Sequence, residues 1–200
     1  LVDAIEPAAV AIGNVETSQR IVDVLFKALA EALPEHIPAG SSGTMSNVCM
    51  GSHESDSPFV YYETLGGGAG AGPGWSGASA IHSHMTNTLN TPIEAFEHAY
   101  PMVITHYGVR PESGGAGTYC GGCGLIREYE FKEPTQVTVL CERQDRGPYG
   151  LNGGQAGKGG ETYLITTSGE RTRLEGKVTL ICEAGQRIRI ETPGGGGFGT

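Results

Sequence analysis

Histidine and carboxylate side chains concentrate in one stretch of the chain: His82, His84, His98 and His106, with Glu94 and Glu97 between them. A His-x-His pair on a strand puts both imidazoles on one face, because side chains alternate with period two. Two such rings can begin a metal site or a proton relay. Glu94 and Glu97, three apart on a short helix, also share a face. The candidates for acid–base chemistry are therefore His82, His84, Glu94 and Glu97. The alternative is a set of ordinary surface or packed histidines, since zinc takes about four ligands and the spacing fixes no third or fourth.

Two further constellations carry chemistry. Ser113-Gly114-Gly115-Ala-Gly117 suits either a tight turn or a nest of backbone N–H groups that binds an anion. Cys120-Gly-Gly-Cys123 is a single C-x-x-C, half of a zinc site or a redox pair, and otherwise two incidental thiols. Phosphate motifs fail on context. Asn152–Gly159 lacks both the first glycine and the hydroxyl after the lysine that a P-loop requires, so it offers no magnesium ligand. The G-x-G-x-x-G letters at Gly72 and Gly194 lack the strand and helix of a dinucleotide site. No G-x-S-x-G nucleophile elbow occurs around Ser76, Ser79 or Ser113.

Elements must hold these groups in place. Apolar residues at Ile21, Val22, Leu25, Phe26, Leu29, Ala32 and Leu33 repeat at helical spacing, predicting an amphipathic helix from about Thr17 to Leu33, with Thr17 or Ser18 as N-cap and Pro34 as stop. Pro92 and Pro101 bracket a second, short helix over Ile93–Ala99. Strands rich in β-branched and aromatic residues are expected over 47–50, 59–65, 102–109, 125–131, 136–141, 162–167, 174–182 and 187–192. The fold class is thus α+β, β-rich and mostly antiparallel, with an N-terminal amphipathic helix, one short second helix and Gly-rich loops. Residues 1–200 read as a single domain.

Thirty-three of the 200 residues are glycine, and 25 of these fall in four blocks: 66–77, 114–124, 147–160 and 194–199. Glycine lets backbones approach closely or adopt positive φ, at a cost of roughly 0.5–1 kcal/mol each relative to alanine. Blocks without a fixed period exclude collagen, and the apolar segments between them exclude a disordered chain. The net charge of −9, with no basic cluster, argues against nucleic acid and membrane surfaces as partners. No apolar run approaches the ~20 residues of a membrane span, and the first residues show no signal peptide. Five cysteines, an odd number, fit reduced thiols and a cytoplasmic location.

Taken in order, several segments resemble the C-terminal part of the hydantoinase B/oxoprolinase family. They are Gly13–Arg20 (GNVETSQR), Gly43-Thr-Met45, Tyr62-Glu-Thr64 leading into Gly66–Ala71, Asn90-Thr-Pro-Ile-Glu94 with Glu97, Ser113–Gly117, Gly121-Gly-Cys-Gly124 followed by Arg127-Glu128, Gly150–Gly154 and Thr192–Gly199. Cys120 stands where members usually have arginine, and Ser76-Gly77 where they have aspartate-glycine, which puts the substrate class in question. The resemblance implies part of a B-type subunit that works in a hetero-oligomer with a hydantoinase A-like partner. That partner would bind ATP with magnesium and phosphorylate a carbonyl or lactam oxygen. The B-type part would then open a hydantoin- or 5-oxoproline-like ring, or in acetone and acetophenone carboxylases join a ketone to a carboxylate. The same resemblance implies that a divalent metal is held by a part of the family preceding Leu1, so that this segment itself binds no cofactor and is inactive in isolation. The contrasting expectation is a noncatalytic β-rich scaffold or interface module.

Overall fold

A computed structural model describes residues 5–6, 16–53 and 57–200. Residues 13–15 of the Gly13–Arg20 motif lie outside the described residues. Two helices, α1 (Ser18–Leu29) and α2 (Ile93–Ala99), accompany nine strands: β1 (Asn47–Ser52), β2 (Val60–Thr64), β3 (Met102–Val109), β4 (Leu125–Phe131), β5 (Thr135–Leu140), β6 (Glu161–Ile165), β7 (Arg171–Leu174), β8 (Lys177–Cys182) and β9 (Arg187–Glu191). Every pairing is antiparallel, in a four-stranded sheet ordered β2-β1-β5-β8 and a five-stranded sheet ordered β3-β4-β9-β6-β7. The chain is an α+β, β-rich protein. No helix among the described residues is long and apolar enough to cross a membrane.

One apolar cluster joins the two sheets. Val48, Met50, Val137 and Val139 contribute from the first, and Met102, Tyr129, Phe131, Ile188 and Ile190 from the second, with Phe96 of α2 wholly buried among them. Strand β5 shows the alternation that produces this: Thr135, Val137 and Val139 point inward while Gln136 is exposed. The expected strand 174–182 is in fact two strands in different sheets. Gly176 separates β7 from β8, its carbonyl accepts the Cys141 amide at 2.7 Å, and a Cβ there would overlap the Cys141 carbonyl oxygen.

Helix α1 departs from expectation in three ways. It ends at Leu29, and turns at 30–32 and 34–36 follow, consistent with the bar on helical backbone before Pro34. Thr17 precedes it without a side-chain cap bond. Its orientation is also the reverse of an ordinary amphipathic helix: the buried residues are Gln19 and Asp23, while Ile21, Val24, Leu25 and Leu29 are 42, 67, 56 and 43% exposed. Polar anchors decide this. Gln19 Nε2 donates to Ser83 O at 2.8 Å and to Thr86 Oγ1, Asp23 binds Arg143 Nη2 at 2.6 Å, and Glu16 accepts from the Met45 amide at 2.9 Å.

The glycine blocks build a unit of their own. Successive amides of segment 194–199 donate outward: Gly194 to Lys158 O, Gly195 to Gly122 O, Gly196 to Gly40 O, Gly197 to Gln155 O, Phe198 to Tyr119 O and Gly199 to Leu151 O. Gly194 and Gly197 thus both reach segment 155–158, and Gly195 and Phe198 segment 119–122, while Gly196 and Gly199 reach Gly40 and Leu151. Two of the three pairs so spaced repeat as they would in an extended helix with three residues per turn and no internal hydrogen bonds. Segments 66–72, 114–124 and 147–160 surround it. Positive φ is not the reason for these glycines, since within 194–199 only Gly199 has it. Close approach is: a Cβ on Gly195 would overlap Ala69 O, and one on Gly121 would overlap Gly195 O.

Candidate functional site

Within the glycine unit, the Ser113–Gly117 turn is tied to its own scaffold. Ser113 is buried; its Oγ donates to Arg110 O and accepts the Gly124 amide, both at 2.8 Å. Its carbonyl accepts the Lys158 amide, and the Gly115 amide goes to Gly195 O. A Cβ on Gly114 would overlap Gly121 O, and one on Gly117 would come within 2.8 Å of Phe198 O. Cys123 lies beside this turn. Burial pushes its thiol pKa up, but hydrogen bonds from the Gly114 and Ser113 amides and the Ser113 and Ser79 hydroxyls outweigh burial and hold it below the ordinary value. Cys120 is exposed, with Sγ 3.8 Å from Gly117 O.

The two leading histidines part company. Residues 82–84 form no strand, because His84 has φ +56 and the chain turns there. His84 Nε2 meets Asp23 Oδ1 at 3.2 Å and its ring stands edge-on to Phe26, so it belongs to the α1 anchor. His82 Nε2 lies 3.2 Å from Thr88 Oγ1, which is 2.7 Å from Thr64 Oγ1. Burial lowers the His82 pKa against an opposing pull from Glu63, which favours the neutral ring near neutral pH. Glu97 accepts the Ile104 amide at 2.9 Å and so ties α2 to β3, whereas Glu94 is exposed in the first turn of α2. His98 and His106 are exposed, the latter beside a register shift in β3.

The most elaborate polar cluster centres on two residues that spacing does not single out. Arg127 of β4 is wholly buried; its Nε lies 3.2 Å from Glu63 Oε2 of β2, and its Nη2 donates to Thr91 O at 3.1 Å. The guanidinium lies 4.6 Å from the Tyr107 ring centroid, a stacking that favours arginine over lysine. Glu63 accepts from Tyr129 Oη and the Thr91 amide, both at 2.8 Å. Asn90 Nδ2 donates to Thr64 O at 2.9 Å and its Oδ1 accepts from Tyr107 Oη at 3.1 Å. Burial, with Glu63 alongside, drives the Tyr129 pKa well up, so its hydroxyl stays a donor. Nε and Nη1 of Arg127 still lack a well-aligned acceptor. The motifs Tyr62–Thr64, Asn90–Glu94 and Arg127-Glu128, far apart in sequence, therefore meet at one point, with His82 joined to it through Thr88 and Thr64. Their shared place in the family resemblance was the signal available for this cluster.

Chemically, this cluster is a wall of hydroxyl, amide and imidazole groups on a buried ion pair. It can orient a polar substrate group. Among the described residues, no three His, Cys, Asp or Glu side chains converge on a point that could hold a metal ion. Among the described residues, neither the His82/His84 pair nor Cys120 and Cys123 gathers the further ligands a divalent metal needs.

Comparison with known proteins follows the same lines. The sequence model of the hydantoinase B/oxoprolinase family matches residues 1–200. 5-Oxoprolinase 1 of Arabidopsis thaliana is 49% identical over 98% of the chain, which spans only 15% of that relative's length. The ATP-dependent caprolactamase of Pseudomonas jessenii shares the fold with a TM-score of 0.73 at 23% identity, over 86% of this chain and 32% of its own. Acetone carboxylase in its nucleotide-free form gives 0.62 at 19% identity, over 86% and 28%.

Proposed function

Since the chain belongs to the hydantoinase B/oxoprolinase family, we propose that it is part of a B-type subunit of a cytoplasmic, ATP-dependent amidohydrolase. Its substrates are hydantoin- or 5-oxoproline-like cyclic amides, opened together with an A-type subunit in a hetero-oligomer. The observation that carries this reading is the 49% identity to a 5-oxoprolinase across nearly the whole chain. ATP with magnesium belongs to the A-type partner, which activates the amide oxygen; a divalent metal belongs to a portion of the subunit other than this chain. The contribution of these 200 residues is positional. The Glu63–Arg127 cluster fixes the 86–91 loop against β2 and β4, and Asn90, Thr88 and neutral His82 present the hydrogen-bonding groups that orient a polar ring. Orientation alone supplies a large part of a rate enhancement when reacting groups are held in place.

A carboxylase of the acetone type is the second reading, favoured by the fold shared with acetone carboxylase. A scaffold role is favoured locally at Ser113–Gly117, whose described hydrogen bonds all serve the glycine unit. The test assembles the chain, within a family-length B-type subunit, with an A-type subunit and follows ATP-dependent opening of 5-oxoproline and of hydantoin, with acetone plus bicarbonate in parallel. Ring opening that needs ATP and both subunits is the expected result; carboxylation without ring opening overturns it in favour of the second reading. An Asn90→Ala variant is expected to lower kcat/KM about tenfold or more with assembly intact, the scale of one lost orienting hydrogen bond.

A further inference from the structure

A cavity of about 800 Å³ opens between α1, the β5–β6 connection and the β7–β8 connection. None of its lining residues belongs to the Glu63–Arg127 cluster or to the glycine unit. Five cations line it, Arg20, Arg143, Arg146, Arg173 and Lys177, out of thirteen in a chain that carries twenty-two acids. They come from four places: α1, the β5–β6 connection, β7 and β8. Three carboxylates also line it, Glu142, Asp145 and Glu175, against five cations, and of the three only Glu142 makes an ion pair among the described residues. Glu142 is shared by Arg20 at 3.6 Å and Lys177 at 2.5 Å, and Arg143 is held from outside the cavity by Asp23. Arg146 and Arg173 make no ion pair among the described residues; Arg173 Nη2 reaches only the Gln144 carbonyl at 3.3 Å. Arg143 also sits at φ +61, a costly conformation for a side chain of its size. Burial and the nearby Arg143 both lower the Arg20 pKa, a sign of cations crowded together.

We propose that this cavity binds a small phosphate-bearing anion. Guanidinium groups on facing walls suit a tetrahedral, multiply charged oxyanion with several acceptor edges, whereas a monocarboxylate is satisfied by a single arginine fork. Leu174 is the only large apolar side chain in the lining, which leaves little to hold an uncharged ring. The volume lies within the range of small-molecule sites. The inference concerns this chain alone and stands whether or not the amidohydrolase reading holds.

Calorimetric titration at low salt, with ¹H–¹⁵N shifts mapped in parallel, compares inorganic phosphate, pyrophosphate and ATP with acetate and a glutamate-rich peptide. Saturable binding of phosphate or pyrophosphate is expected, with shifts concentrated at 141–146 and 171–177. ATP that binds no tighter than pyrophosphate identifies the phosphate groups as what is recognised; tighter ATP binding adds a nucleoside to the ligand. The Arg146→Ala/Arg173→Ala variant is expected to weaken binding about tenfold or more, and Lys132→Ala, outside the cavity, to leave it unchanged. Both arginines are exposed and make no ion pair among the described residues, so thermal unfolding is expected to be little affected. Absence of saturation in the millimolar range, equal binding of acetate, preference for the acidic peptide, or insensitivity to the double substitution overturns the proposal.

Discussion

Asp23 shows how much one buried carboxylate can hold. Its side chain, 3% exposed, takes Arg143 at 2.6 Å and His84 at 3.2 Å, while its carbonyl accepts Tyr149 Oη at 2.8 Å. Asp23→Ala leaves the Arg143 charge uncompensated in a confined place, and urea unfolding is expected to show a loss of roughly 3–5 kcal/mol. Nothing in the sequence pairs residue 23 with 84 or 143, since these contacts span 61 and 120 positions. The His-x-His spacing was legible, but the positive φ at His84 that sends the two rings apart was not. Cysteine reactivity is the other outcome at this scale. Burial pushes the Cys141 and Cys182 thiols up to about 12, whereas Cys123 is lowered. Alkylation near neutral pH, followed by peptide mass spectrometry, is expected to label Cys123 well before Cys141 and Cys182, because the thiolate is the nucleophile. Ser79→Ala removes one stabilising hydroxyl and is expected to slow that labelling and shift its pH profile upward.

Strand and helix boundaries followed from sequence wherever a face is buried. The bounds of α2, β3 and β4 coincide with expectation because prolines or a clear apolar alternation mark them. The β7–β8 break was hidden, since Gly176 interrupts the run only by packing against Cys141, which lies distant in sequence. For α1, periodicity gave the helix and its two faces but not which face turns inward, a choice made by Glu16, Gln19 and Asp23 finding partners. Leu25→Ser is therefore expected to change the stability of this chain by no more than about 0.5 kcal/mol in denaturant titration, far below the ~2–5 kcal/mol cost of truncating a core leucine. Strand pairing yields a pH effect as well. Glu128 of β4 is raised by burial, but Thr105, Arg187 and Arg189 bring its pKa below the ordinary carboxylate value. A carboxylate lowered in the folded state adds stability that is full above its unfolded pKa, ~4.3, and is lost as pH falls through the folded pKa. Glu128→Gln is expected to flatten the acid limb of the stability profile, with the wild-type slope persisting in Lys132→Gln.

At the scale of the whole molecule, the glycine unit ties the two sheets together, and its composition was plain in the sequence while its reason was not. The blocks looked like turns or anion nests; they are neighbours packed backbone to backbone, an arrangement visible only when all four are brought together. Gly195→Ala is expected to destabilise by about 3 kcal/mol, at the upper end of overpacking costs, because its Cβ meets Ala69 backbone rather than a movable side chain. Gly108→Ala, whose Cβ would approach nothing nearer than His106 Nε2 at 3.7 Å, is expected to be neutral or slightly stabilising. If the chain is one domain, calorimetry of both variants shows a single transition whose van't Hoff and calorimetric enthalpies agree. The threefold segment has one more consequence, for synthesis in the cell. Residues 194–199 occupy the centre of the unit, yet ribosomes make them after every segment they contact. Until they emerge, the earlier blocks have donors and acceptors facing an unfilled axis, so a nascent chain stalled before Thr192 is expected to remain protease-sensitive throughout 66–72 and 114–124, and to become resistant only when translation supplies the final strand of glycines.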